Sequence, residues 1–138
     1  MKTKLTAWLL LFTFMLICGS AFAHHGNVAY DEDHLLTLKQ AKVTSFIWAN
    51  PHSFIKFDVT DDKGNVVHWA AELGSPSANT MNGWTRDAVM PGDVITVYMH
   101  QSKAGTPVGR LTRIVTPDGK SLCDHGCVQG DKNQGYGN

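Results

Sequence analysis

Residues 52–73 read HSFIKFDVTDDKGNVVHWAAEL, two alternating runs around a turn, and this stretch decides the fold. In the first run Ile55, Phe57 and Val59 share one face while His52, Phe54, Lys56 and Asp58 share the other, the period of two that marks a half-buried strand. Asp61-Asp62-Lys63-Gly64-Asn65 is dense in turn formers, and Val66 to Leu73 resumes the alternation, with Val67, Trp69 and Ala71 set against His68, Ala70 and Glu72. A β-hairpin follows. Matching its apolar faces puts Val59 opposite Val67, Phe57 opposite Trp69 and Ile55 opposite Ala71. The polar face then pairs Asp58 with His68 and Phe54 with Glu72. His52 is left diagonal to Glu72 at roughly 7–8 Å between backbones, within reach of long side chains.

Upstream lies Trp48-Ala49-Asn50-Pro51-His52. Pro51 fixes its own φ and pushes Asn50 out of the α region, so the chain turns here and brings Trp48 and His52 to the mouth of the strands. From Leu35 to Trp48, Leu36 and Leu38 alternate with polar neighbours, and then Ala41, Val43, Ser45 and Ile47 continue on the opposite parity. The slip near Gln40 predicts a bulge in one long, bent strand. Downstream, Gly74-Ser75-Pro76 ends the third strand, and Ser77 to Val89 has no period of two, which predicts a short, irregular helix around Gly83. Pro91-Gly92-Asp93 is a turn, Val94 to His100 a fourth strand, Gln101 to Gly109 a loop, and Arg110 to Val115 a fifth strand closed by Pro117-Asp118-Gly119-Lys120.

The order predicts an all-β domain, a small OB-like five-stranded barrel with a short helix between strands 3 and 4. A small β-sandwich fits the same strand count. The barrel core would take Val43, Ile47, Ile55, Phe57, Val59, Val67, Trp69, Ile95, Val97 and Met99. Ligands of such barrels meet the face of strands 2 and 3 and the loops 1–2 and 4–5, which makes Trp48, His52, Glu72 and His100 the candidate ligand-binding residues.

Lys2 and Lys4 precede an apolar run from Leu5 to Cys18 and a small-residue site at Ala21-Phe22-Ala23, the pattern of a secretory signal peptide. The run is shorter than the ~20 residues that span a bilayer, so no membrane association is expected after cleavage. Bulky Ile17 argues against lipidation of Cys18. The division is a signal peptide over 1–23, the β domain over 24–122, and a flexible tail over 123–138 that carries a cysteine pair. A periplasmic or secreted monomer is expected. Without Lys2 and Lys4 the twelve basic residues become ten against twelve acidic ones, so the mature charge is 10 − 12 = −2 and nothing suggests nucleic-acid binding. In an oxidising compartment Cys123 and Cys127 read as a disulfide. With His125 the two thiolates could also hold copper or zinc, but the second ligand pair of a structural zinc site is missing.

The chain resembles a family of small exported bacterial proteins, a domain of unknown function. The resemblance rests on Ala23-His24-His25, Tyr30-Asp31, Thr37-Leu38-Lys39, Trp48 with Asn50-Pro51-His52, Trp69-Ala70-Ala71-Glu72-Leu73-Gly74-Ser75-Pro76, Gly83-Trp84, Pro91-Gly92-Asp93 and Pro117-Asp118-Gly119-Lys120. It covers the mature chain to about Leu122, and departs at Gly26-Asn27, where the family has Ser-Phe, and at Gln40, where it has Gly. It implies an exported small β domain and brings no activity with it.

The sharpest chemistry is at the mature N-terminus. If His24 comes first, its α-amine, with a pKa of about 7.7–8, and its imidazole, at about 6.5, can chelate one metal. A further histidine, His52 or else His25, would complete a three-nitrogen brace. Copper suits such ligands best and zinc next. The plainer reading is a frayed terminus beside a turn histidine. Three functions remain: a non-catalytic binding or accessory module for a metal ion or small ligand; a histidine-brace copper redox enzyme with Glu72 as base; or a structural partner of a larger exported enzyme, anchored by exposed Trp48 and Trp84. No nucleophile triad, phosphate loop or paired carboxylates point to hydrolysis, and the balance leans away from an enzyme.

Overall fold

The computed structural model describes residues 29–127; the expected signal peptide over 1–23, His24, His25 and the residues from Val128 on lie outside the described residues. The elements are β1 (Leu36–Ile47), β2 (Ser53–Thr60), β3 (Val66–Leu73), a short helix α1 (Pro76–Met81), β4 (Val94–Gln101), β5 (Val108–Val115) and β6 (Ser121–Cys123). The sheet order is β3-β2-β1-β4-β5-β6, and a parallel pairing of β3 with β5 closes the first five strands into a mixed barrel. The closed barrel with one short helix between strands 3 and 4 is the architecture that the sequence predicts, and closure excludes the sandwich. The hairpin pairs in the predicted register throughout, from Ser53 opposite Leu73 to Thr60 opposite Val66.

The bulge near Gln40 is present. The pairing of β1 with β4 shifts between Leu38 and Ala41, and Gln40 sits at φ 55°, a left-handed conformation that glycine adopts without a Cβ penalty. Gln40→Gly is therefore expected to raise stability, by up to about 1 kcal/mol, as read from the denaturant midpoint.

A second bulge, between Val43 and Ser45 in the pairing with β2, inverts the parity again. It corrects the expected core. Ile47 turns outward and is 38% exposed, while Phe46 packs inward against Trp48 and Trp84, with ring centroids 5.4 and 6.0 Å away. Val43, Ile55, Phe57, Ile95, Val97 and Met99 are buried as expected. Val59, Val67 and Trp69 are only half-buried. Trp84, read from the sequence as an exposed anchor, is 1% exposed, and Leu73, Leu111 and Ile114 join it in the core.

The boundary expected at Leu122 falls inside the fold. Strand β6 adds to the edge of β5, and Cys123 and Cys127 form a disulfide just beyond it. Asp124 is buried, with its Oδ1 accepting the Gly74 N–H at 2.7 Å and its carbonyl oxygen accepting the Asn82 side-chain amide at 2.6 Å. Ser75 caps α1 by accepting the Ala78 N–H, and Pro76 occupies the first turn, where its missing N–H costs no helical bond. This end of the barrel is thus tied to the strand that carries Glu72.

Candidate functional site

The register of four strands sets up one row of outward side chains. Phe54 pairs with Glu72 across β2 and β3, Glu72 with Arg110 across β3 and β5, and Arg110 with His100 across β5 and β4. The segment 29–35 lies across this row as a strap. Its backbone is fixed where the Asp31 N–H donates to the Gln101 carbonyl oxygen at 2.8 Å and the Lys103 N–H to the Ala29 carbonyl oxygen at 2.9 Å. His100 Nδ1 holds the strap from beneath, donating to the carbonyl oxygens of Asp31 at 2.9 Å and His34 at 3.1 Å. Arg110 holds it from the side through an ion pair with Glu32.

Glu72 is the centre. Its Oε1 lies 2.8 Å from His52 Nδ1, and its Oε2 accepts the Tyr30 hydroxyl at 2.6 Å. A carboxylate only accepts hydrogen bonds, so His52 donates from Nδ1, and in the neutral ring the lone pair then belongs to Nε2. Carboxylate support of this kind orients metal-ligating histidines and raises their basicity. Burial raises the Tyr30 hydroxyl to about 12, the Glu72 bond and charge add to this, and Arg110 opposes it. Because the folded value lies above the ordinary one of 10.0, this contribution to stability is fully present below pH 10 and lost as pH rises through about 12. A phenolate titration by ultraviolet absorbance is expected to show a component near 12 that Tyr30→Phe removes.

The diagonal pairing of His52 with Glu72 is thus formed. His100 supports the strap rather than the dyad, two strands away at roughly 10 Å by strand spacing. Trp48 is half-buried and stacks edge-on against Phe46 at 5.4 Å, so it belongs to the hydrophobic wall behind the turn. Tyr30, Glu32 and Arg110 are the residues that sequence reasoning missed. The strap has no periodic pattern to announce it, and Tyr30-Asp31 stood out only through the family resemblance. His68 and Asp58 pair at 2.7 Å on the same face, as the register predicts, but they lie one hairpin end away from the strap.

Among the described residues, no three His, Cys, Asp or Glu side chains converge as a metal set. His24 and His25, the other expected ligands, lie outside the described residues. Chain geometry bounds their reach: residue 24 precedes Tyr30 by six residues, which span at most roughly 20 Å. Tyr30 itself touches the carboxylate that holds His52.

A family model described as a family of unknown function, DUF6152, matches residues 13–111. No curated protein and no solved structure matches the chain.

Proposed function

We propose, for a chain that belongs to DUF6152, a family of unknown function, that it is an exported binding module which holds one transition-metal ion between its mature N-terminus and His52. The α-amine and imidazole of His24 and the Nε2 of His52 are the three nitrogens, with His25 as the reserve ligand. Amine and imidazole donors favour copper, which stands at the top of the divalent affinity series, and then zinc. The supporting observation is the double engagement of Glu72. One carboxylate accepts from His52 Nδ1 and, through its other oxygen, from the Tyr30 hydroxyl, so it holds Tyr30 beside His52. Export rests on the lysines, apolar run and small-residue site of residues 1–23, and it would create the free amine that the site requires.

The experiment is an intact mass of the exported protein combined with its metal content after exposure to Cu(II). A chain that begins at His24 and carries one copper supports the proposal. A mass that retains Leu5 to Cys18, or a copper-free protein, removes it. Glu72→Gln is expected to weaken Cu(II) binding by about 10–100-fold, the usual effect of losing the partner that orients a ligand histidine. Competition titration against a chelator reads this directly.

A further inference from the structure

The Cys123–Cys127 disulfide joins the last residue of β6 to the loop just after it, so it cross-links no two strands of the barrel. A bond across so short a ring constrains the unfolded chain least, which makes it a weak staple. What it does fix is the course of residues 123–127, and that loop holds the segment from Gly74 to Trp84 at three points. The Cys123 carbonyl oxygen accepts the Trp84 Nε1–H at 2.9 Å, Asp124 Oδ1 accepts the Gly74 N–H at 2.7 Å, and the Asp124 carbonyl oxygen accepts the Asn82 side-chain amide at 2.6 Å. Gly126, at φ 82°, turns the chain back toward Cys123 and passes so close to Asn82 that a Cβ there would stand 3.2 Å from its Oδ1. Exposed His125 adds a contact within the loop, its Nδ1 lying 3.0 Å from Asp124 Oδ2. The two cysteines differ in access: Cys123 is 8% exposed, whereas Cys127 stands in the open.

We propose that this disulfide is a redox latch on the end of the barrel next to Glu72. Oxidised, it keeps the loop in the shape that seats Asp124 on Gly74, two residues after Glu72. An external dithiol opens it. One thiolate of the dithiol attacks the accessible Cys127 sulfur, and the S–S bond breaks with its electron pair leaving on Cys123, which takes up a proton. The second thiol of the reductant then attacks the mixed disulfide, Cys127 leaves as a thiol, and the dithiol becomes a disulfide, so two electrons and two protons pass to the protein. Exposed disulfides are the labile and regulatory ones, whereas those that only stabilise resist reduction. Once the ring is open, the loop gives up its hold on Gly74, Asn82 and Trp84, and the exit of β3 loosens with α1 while the five strands stay paired. The latch acts through Gly74 and needs no metal.

The test treats the protein with excess dithiothreitol in the absence of denaturant and follows hydrogen exchange by NMR. Two thiols per chain are expected to appear and the circular dichroism spectrum to persist. The Gly74 amide and the Trp84 indole N–H should exchange about tenfold faster or more, while the Ile55 and Phe57 amides of central β2 stay as they were. Reoxidation should restore slow exchange, and glutathione in place of the dithiol should leave its adduct on Cys127. Asp124→Ala is expected to free the Gly74 amide already in the oxidised protein, so that reduction adds little there. Asp124→Asn keeps an oxygen for that amide and should retain the redox response, which preserves the comparison if the alanine variant folds poorly. Four results overturn the proposal: a disulfide that yields only once denaturant is added, unchanged exchange at Gly74 and Trp84 after reduction, an adduct on Cys123, or loss of the whole fold on reduction, which would make the bond a staple.

Discussion

Trp84→Ala is expected to destabilise the domain by about 3–5 kcal/mol, the usual loss for a fully buried aromatic reduced to a methyl group. Trp84 is 1% exposed, and its Nε1–H donates to the Cys123 carbonyl oxygen at 2.9 Å, so the truncation removes packing and leaves a buried acceptor unpaired. The loss also reaches Phe46, whose ring lies 6.0 Å from the indole and carries the contact on to Trp48. Chemical denaturation of the wild type and the variant measures the difference. Trp69→Ala is the control, because that indole is only half-buried and its removal should cost clearly less. Equal losses at the two positions would contradict the inward assignment of Trp84.

The contrast between these tryptophans shows where sequence pattern stops. Strict alternation with a turn between the runs left one register for β2 and β3, and that register placed Glu72 close enough to predict its contact with His52. The first phase slip in β1 was visible because Leu38 and Ala41 are apolar on opposite parities. The second is hidden, because Thr44 and Ser45 are small and polar on either face, so the sequence pattern predicts Ile47 rather than Phe46 in the core. Trp84 stands in a segment without periodicity, where burial depends on contacts with Phe46 and Cys123 that are distant in sequence. The strap was unreadable for a similar reason. Tyr30 and Glu32 acquire their roles from Glu72 and Arg110, more than 40 residues away in both cases.

His52→Ala is expected to weaken Cu(II) binding by more than the about 10–100-fold that loss of an orienting partner causes, since it removes a ligand outright. The fold should persist. His52 precedes β2 on the outer face and is half-exposed, so no core cavity results. Binding should also weaken as pH falls through the imidazole range at about 6.5 and the amine range at about 7.7–8, because protons compete for the same nitrogens. A competition titration over that range, with circular dichroism as the folding control, separates ligand loss from unfolding. If His52→Ala binds copper like the wild type, His52 is an ordinary turn histidine, oriented by Glu72 for no metal.

The most direct measurement of the shared site compares Cu(II) affinity in the chain that begins at His24 with affinity in the same chain extended by one residue at its N-terminus. The extension moves the α-amine away while leaving His24, His25, His52 and the folded domain unchanged. A shared site predicts a fall in affinity as large as that caused by His52→Ala alone, and little further loss when His52→Ala is added to the extended chain. Equal affinity in the two chains would contradict it.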